Sequence, residues 1–448
     1  ACKERNIPTY FSCTPATMTV EKAEAAMEAG LSVLKFSLDA LDDEEIKKIR
    51  GKRADFNESI NKIISLEIVA IRDSLNRILA SDIISKINVP SDINSAMDGY
   101  AIKYNDLVEN SITKLKIVGT SFAGKPWHGK LNCGETIRIM TGAVLPGTAD
   151  SVIMQEHVNR NDDYITIEGC HKKSQNVRGI GEDVNVGDVI LKKGKLIRPA
   201  EMGLLASMGI SEIKVMQKLR VAFFSTGDEL QPLESTLSSG QIYDSNRYSL
   251  FGMLSRLGVE LIDLGVIKDD KELIRQTFIS AAECADVVIT SGGVSVGDAD
   301  YVKEILDEQG TITFWKLAIK PGKPLAFGKM NQSLFFGLPG NPVSVMATFY
   351  MIVQPALLTM MGHQNTQVFT VQARVLSDIK KRPGRLEFQR GILQQEKGQP
   401  LTVNSTGGQG SHMMTSMSNA NCFIVLEQDN DGVKKGEMVN IILFDGFM

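Results

Sequence analysis

The spacing of apolar positions changes several times along the 448 residues of this chain, and each change marks an element or a boundary. Residues 1 to about 62 have a βαβα rhythm. Ile7 to Phe11 predicts a short strand, Val20 to Ala29 a helix ended by Gly30, Ser32 to Ser37 a second strand, and Asp42 to Arg50 a charged helix stopped by Gly51. Between Ile63 and Pro90, Leu75, Ile78 and Leu79 fall at helical spacing, which predicts a helix followed by the extended run IISKINVP. From Val108 to Glu182 the short runs LKIVG, TIRIM, SVIMQ and ITIEG are separated by Gly, Asn and Asp, the pattern of a small antiparallel β domain. Ile190 to Val215 adds a strand-like pair and a short helix, Pro199 to Met208, with proline in its first turn.

From Leu219 the rhythm becomes strand, turn, helix. VAFF ends in Ser225-Thr226-Gly227-Asp228-Glu229. A helix opens within IYDSNR with Asp244 or Ser245 as its cap, and a strand (Glu260 to Val266) and a helix (Lys271 to Ala282) follow. Val287, Val288 and Ile289 read as a buried strand that breaks into Ser291-Gly292-Gly293 before a helix beginning near Tyr301. Phe314 to Ile319 is expected as a strand, Lys320-Pro321-Gly322-Lys323-Pro324 as a rigid turn, and a further strand ends in Leu338-Pro339-Gly340-Asn341-Pro342. Such alternation implies a parallel sheet with right-handed crossovers. An apolar helix, Val343 to Met361, contains Pro355 as a kink position. From Val368 short strands return, with turns at Pro383-Gly384, Gly407-Gly408 and Asp431-Gly432, suggesting a small β-barrel.

Composition narrows the function classes. A net charge of −4 gives no general reason to expect nucleic acid or a membrane surface, and no uninterrupted apolar run reaches the ~20 residues a bilayer requires. The first residues lack a signal peptide's apolar core, so a cytoplasmic location is expected. Cys2, Cys13, Cys133, Cys170, Cys284 and Cys422 form no C-x-x-C pair and read as reduced thiols.

The candidate chemistry gathers in the α/β segment. Gly292 and Gly293 follow a strand and precede a helix, where backbone N–H groups can approach a phosphate or oxyanion; a βα turn without a ligand is the plain alternative. Asp298 and Asp300 could hold a divalent cation there or cap the helix. TGDE, SGGVSVGDAD, IKPGKP and PGNPVS all follow predicted strands, which places them on one rim of the sheet, where ligands bind. In the last segment GRLEFQR spaces Arg385 and Arg390 about a strand apart, with ordinary surface charge as the alternative, and His412 sits in a small polar loop without a second histidine at ligand spacing. Asp98-Gly99 is by itself a turn signal.

The motifs SAMDGYA, IRIMTGA, RGIGED, STGDEL, IYDSNR, TSGGVSVGDADY, IKPGKP, GLPGNPVS, GRLEFQRG and TGGQGSH stand in one order. On them the chain, from about Leu66 to its end, resembles the molybdopterin molybdenumtransferases, the MoeA family that includes the gephyrin E domain. The resemblance implies an α/β plus β multidomain fold: a MogA-like doubly wound α/β domain, a β-rich inserted domain and a C-terminal β-barrel. The implied divisions are an atypical segment at 1–62, a linking domain at 63–92 and 180–217, an inserted domain at 93–179, a molybdopterin-binding domain at 218–363 and a barrel at 364–448.

The resemblance also implies a homodimer that inserts molybdate into molybdopterin, with adenylated molybdopterin and molybdate as substrates, Mg2+ assisting release of AMP, and other molybdenum cofactor biosynthesis proteins as candidate partners. Molybdate is a tetrahedral dianion whose pocket calls for positive charge and hydrogen-bond donors and no buried acid. By match to the family pattern, Lys320, Lys323, Pro324, Ser344, Arg385 and Ser411 form this oxyanion shell, and the amides of Gly292, Gly293 and Ser295 take the pterin phosphate. Asp228, Asp244 and Asp298 are placed to hold magnesium. Asp98, Thr141, Asp183 and Glu201 complete the implied catalytic set from the other subunit.

Residues 1–62 replace the family's usual helical entry; FSLDALDDEEIKKIRG there is similar to a fragment of a radical-SAM barrel, without the three-cysteine motif. The α/β segment alone also resembles the adenylyltransferase that prepares adenylated molybdopterin, from which SAMDGYA and GRLEFQRG distinguish it, and the gephyrin relative gives a non-catalytic scaffold as a further alternative.

Overall fold

The computed structural model describes residues 10–13, 33–36, 66–108, 111–293, 301–364, 366 and 368–444. It divides into two compact units, 68–215 and 216–448, the latter grouped with residues 1–67. Near the N-terminus, strands Tyr10–Cys13 and Val33–Phe36 pair in parallel and overlap the two strands expected there. The helices expected at 20–29 and 42–50 lie outside the described residues.

The first unit differs from expectation at its start. Leu66–Ala70 is a strand and Ile71–Asp73 a 3-10 turn, not a helix. The β-branched run in LEIVA favours extended backbone. Leu75 is exposed, and the buried Ile78 and Leu79 form bridges to Leu196 and Val215 instead of lining a helical face. Leu79 packs with Val184, Leu191, Ile197, Leu205 and Val215 in a core of its own. Leu205 comes from α1 (Pro199–Ser207), the helix predicted over 199–208.

The rest of this unit is a six-stranded sheet. Its strands are β1 (Gly99–Ile102), β2 (Thr113–Ser121), β3 (Glu135–Ile139), β4 (Ser151–Met154), β5 (Val158–Asn161) and β6 (Tyr164–Ile167), in the order β5-β6-β2-β3-β1-β4. Period-two alternation sends Ala101, Ile137 and Val152 to one core and Tyr100, Ile102 and Ile153 to another. The sheet is mixed, because β2 and β3 run parallel. Residues 122–134 between them are long enough for a crossover, which a parallel pair needs and a hairpin does not.

The second unit opens with β7 (Arg220–Thr226), α2 (Ser245–Leu257), β8 (Glu260–Ile267), α3 (Lys271–Cys284), β9 (Val287–Ser291) and α4 (Tyr301–Gln309). Next come β10 (Gly310–Lys316), β11 (Ile319–Lys320), β12 (Pro324–Met330) and β13 (Ser333–Leu338). The sheet order is β8-β7-β9-β13-β12-β10. Pairing is parallel from β8 to β13, but β12 and β10 are antiparallel additions. Short turns without a crossover helix join β10, β12 and β13, and such links can only reverse the chain. The strand expected over 314–319 is broken after Lys316, and β11 leaves this sheet altogether.

The apolar helix runs as α5 (Pro342–Thr348), a π-helical stretch Phe349–Val353, and α6 (Gln354–Met360), with the irregular turn just ahead of Pro355. It is the one described helix long and apolar enough to span a bilayer, and 72% of its most apolar window is buried. Its side chains, Val345, Phe349, Val353 and Leu357 among them, face a core shared with the sheet and with Phe388, Phe423 and Ile442 of the last segment. That segment contains β14 (Thr370–Val375), β15 (Leu386–Gln394), β16 (Thr402–Ser405), α7 (Met414–Ser418), β17 (Cys422–Leu426) and β18 (Met438–Leu443). The ring β15-β16-β14-β18-β17 closes on β15, giving a barrel, and β11 pairs in parallel with the start of β15. The α/β sheet and the barrel are thereby joined by a strand as well as by a common core.

Candidate active site

The C-terminal ends of β7, β9 and β13 deliver Thr226-Gly227, Gly292-Gly293 and Pro339-Gly340-Asn341 to one side of the sheet. The turn 320–324 arrives from the opposite direction. It precedes β12, whose antiparallel course sets its first residues beside the end of β13. The four motifs do share a rim, although IKPGKP reaches it by starting a reversed strand. A cleft of about 920 Å³ opens there, lined also by Glu229, Asp269, Tyr301 and Ser344, and by Arg385, Gln409, Gly410 and Ser411 of the barrel segment.

One part of the cleft is built for close backbone approach. Gly292 and Gly293 have φ of 89° and 65°, in the region L side chains avoid. A Cβ on Gly292 would lie 2.7 Å from the Thr226 carbonyl oxygen, and one on Gly293 would lie 2.9 Å from Thr226 Oγ1 and 2.6 Å from a Val302 methyl. Thr226 Oγ1 is buried and has no hydrogen-bond partner among the described residues. A buried hydroxyl in that condition is left able to donate to a ligand.

The other part carries the cations. Lys320, Lys323 and Arg385 line it, with the hydroxyl-bearing Ser344 and Ser411. Neither Lys323 nor Arg385 has a carboxylate partner among the described residues. Gly322 separates the lysines with φ 104°, and a Cβ there would strike Thr348 Oγ1. The Ser411 loop is fixed from two sides. The Val343 amide donates to the Ser411 carbonyl at 3.0 Å. Arg390, 1% exposed, donates to the carbonyls of Gly408, Gln409 and Gly410 at 3.1, 3.2 and 3.0 Å and to Ser416 Oγ at 3.0 Å. Arg390 is therefore an internal brace, not surface charge, whereas Arg385 is exposed at the cleft. His412 is exposed, as expected of a loop histidine.

A buried acid stands behind Lys320, outside the cleft lining. Glu387, 4% exposed, accepts from Lys320 Nζ at 2.9 Å and from Gln389 Nε2 at 3.0 Å. The register of β11 against β15 sets Lys320 directly opposite Glu387, which no spacing along the sequence could reveal.

The acids fall into groups. Glu229 and Asp269 line the cleft, and the Asp269 amide donates to Asp228 Oδ1 at 3.2 Å. Burial, then the charges of Asp228 and Glu229, push the Asp269 carboxyl above its usual range. Asp244 is buried as the N-cap of α2, its Oδ1 accepting from the Arg247 amide at 3.1 Å while Oδ2 has no partner among the described residues. Ser295 and Asp298 lie outside the described residues. No group of three His, Cys, Asp or Glu among the described residues is arranged to enclose a metal ion.

In the first unit the structure joins two of the predicted residues. Asp98 Oδ1 accepts from both the amide and the hydroxyl of Thr141 at 2.8 Å, and these bonds, backbone first, hold its carboxyl below the usual range. Asp183 is exposed, with its amide bonded to the Val89 carbonyl. Glu201 is buried in the first turn of α1, where its carboxylate accepts from the Arg198 amide and guanidinium at 3.0 Å and pairs with Lys195 Nζ at 3.2 Å. The Arg198 hydrogen bond, against the opposing effect of burial, brings its pKa down to about 2.

Comparison with known proteins gives three family matches. Residues 44–209 match the model of the MoeA N-terminal region (domain I and II), 222–359 that of a probable molybdopterin binding domain, and 372–444 that of the MoeA C-terminal region (domain IV). The chain is 48% identical over 384 residues to a molybdopterin molybdenumtransferase of Haemophilus influenzae, covering 85% of this chain and 94% of that protein. It is 33% identical over 397 residues to the Staphylococcus aureus (strain COL) protein of the same name, covering 86% and 94%. A solved structure of the molybdopterin biosynthesis moeA protein from Pyrococcus horikoshii OT3 superposes with a TM-score of 0.75 at 29% identity, over 88% of this chain and 100% of that one. The chain belongs to the MoeA family.

Two further acids that line the cleft do not stand among the site residues predicted from the sequence. Glu229 stands inside the quoted motif TGDE, beside Asp228, and Asp269 follows β8 directly. Both occupy the position after a strand that singled out the glycine turns, so the signal was present.

Proposed function

We propose that the cleft of the second unit is where molybdate and adenylated molybdopterin meet, with Lys320, Lys323, Arg385, Ser344 and Ser411 around the oxyanion and the Gly292-Gly293 turn under the pterin phosphate. The protein is a transferase of molybdenum cofactor biosynthesis that inserts molybdenum into molybdopterin. The observation that carries the placement is the division of one cleft into a cationic, hydroxyl-bearing part and a glycine turn beside the unpartnered Thr226 Oγ1. Tetrahedral dianions are held by charge-assisted hydrogen bonds from such groups, and phosphates by backbone amides at glycine turns.

The acids suit magnesium in number and kind. Magnesium takes one or two protein carboxylates and completes its shell with water and substrate phosphate oxygens, so an enclosed protein cage is not required. The Asp269 carboxyl is raised first by burial and then by the charges of Asp228 and Glu229, and a cation beside it would offset that charge. In this reading one or two of Asp228, Glu229, Asp269 and Asp244, whose Oδ2 has no partner among the described residues, would hold the ion, with water and phosphate oxygens completing its shell. When bound it would neutralise phosphate charge and favour departure of AMP. Lys323 and Arg385 would orient the oxyanion, and Pro324 stiffens the turn that presents Lys323. The hydrogen-bonded Asp98–Thr141 pair belongs to the same reaction in this proposal, as do Asp183 and Glu201. Homodimeric assembly and a cytoplasmic location complete the reading, and light scattering and cell fractionation test them.

The direct test is incubation of the purified protein with adenylated molybdopterin, magnesium and molybdate. AMP and molybdenum cofactor should appear together, and leaving out magnesium should suppress both. Cofactor formed without AMP release would sink the adenylate part of the proposal.

A further inference from the structure

Lys320 and Glu387 face each other across the parallel pair of β11 and β15, Nζ to Oε1 at 2.9 Å. Their exposures differ sharply, 44% for the lysine side chain and 6% for the glutamate. The lysine presents its ammonium to the cleft and the carboxylate lies behind it. Gln389, 5% exposed, braces the carboxylate by donating to Glu387 Oε1 and to the Lys380 carbonyl, both at 3.0 Å. The guanidinium of Arg390 also acts on Glu387 through its charge, although its hydrogen bonds go to loop carbonyls and Ser416.

A buried carboxylate is costly unless its partner is held close, so the pair fixes the Lys320 rotamer. It also subtracts charge. An anion in the cleft meets Lys323 and Arg385 as cations with no carboxylate partner among the described residues, and Lys320 as the outer half of a neutral pair. Tighter holding of a substrate anion in the ground state would not speed its transfer, because only binding gained in the transition state does that.

We propose that Glu387 is a positioning and charge-setting residue of the oxyanion site. It holds Lys320 toward the anion while weakening the pocket's grip, so that molybdate is bound loosely enough to be passed on. This rests on the reading of the cleft as the oxyanion site. Glu387→Gln keeps the shape and an oxygen acceptor for Lys320 but removes the negative charge. A unit charge within several ångströms of the anion, at the effective dielectric of a protein surface, alters affinity by about tenfold or more.

The experiment is calorimetric titration of the full chain with sodium molybdate, for the wild type and for Glu387→Gln, Lys323→Met, Lys320→Met and Lys320→Met/Glu387→Gln, with thermal melts to establish folding. Glu387→Gln should bind molybdate about tenfold tighter with a steeper salt dependence. In the insertion assay its KM for molybdate should fall without a rise in kcat. The double variant should bind better than Lys320→Met alone, since a buried unpaired charge is removed. Folded Glu387→Gln with unchanged or weaker affinity, while Lys323→Met weakens binding, overturns the role given to Glu387. Wild-type protein that binds no molybdate, or binds it indifferently to Lys323→Met, overturns the reading of the cleft and the inference with it.

Discussion

The carboxylate of Asp98 accepts two hydrogen bonds from Thr141, one from the amide and one from the hydroxyl, each at 2.8 Å. Residues 43 apart in sequence are thus fastened into one acidic, exposed group between β1 and the end of β3. Thr141→Val removes the hydroxyl donor and keeps the amide. The Asp98 pKa should rise toward, but not reach, its usual value of 3.8, as read by NMR titration of the carboxyl carbon. An unmoved titration would show that the hydroxyl bond is not formed in solution.

Gly292→Ala adds one methyl where φ is 89° and the Thr226 carbonyl is 2.7 Å away. Strain of this kind costs on the order of 1–3 kcal/mol, so the melting temperature should fall by several degrees. Affinity for the adenylated pterin should fall further than the stability loss explains, because the turn itself is displaced. Normal pterin binding in the folded variant would mean that the phosphate does not rest there.

Arg390 holds three consecutive carbonyls of the loop that ends in Ser411. Arg390→Met leaves those part-buried acceptors without their donor, a loss of on the order of 1 to 3 kcal/mol. Arg390→Lys should rescue little, since an ammonium cannot reproduce the planar fork. Comparison of urea midpoints for the three proteins checks this, and full rescue by lysine would show that charge alone matters.

Glu201 ties the first turn of α1 to Arg198 and Lys195. Its pKa of about 2 lies below the usual 4.5, so the folded state favours the ionised form. Its stabilisation is complete above pH 4.5 and is lost as the pH falls toward 2. Glu201→Gln should therefore be less stable than wild type at neutral pH, by about 1 kcal/mol for a lost capping interaction, and the gap should close in acid. A gap that persists to pH 2 would assign the loss to packing instead.

What the sequence made legible was chiefly local. Glycine turns after β-branched strands located the rim, because backbone conformation there depends on the residues at the turn themselves. Pro199 marked a helix start for the same reason. Pairing between distant segments was not legible. The run from Ile63 carried apolar residues compatible with a helix, and at Ile78 and Leu79 bridges to Leu196 and Val215 decided for extended backbone. The parallel course of β2 and β3, the reversed β12 and the Lys320–Glu387 pair are likewise properties of register. The buried acid went unseen for that reason, since GRLEFQR displays its glutamate no differently from a solvated one.

The central claim is that molybdate enters the reaction through the cationic part of this cleft. It is tested most directly by the molybdate concentration giving half-maximal insertion in Lys323→Ala and Arg385→Ala compared with wild type. Loss of one charge-assisted contact, about 1.5 to 3 kcal/mol, should raise that concentration roughly tenfold to a hundredfold in each variant while the melting temperature stays within a few degrees. An unchanged molybdate dependence in both folded variants would contradict the account.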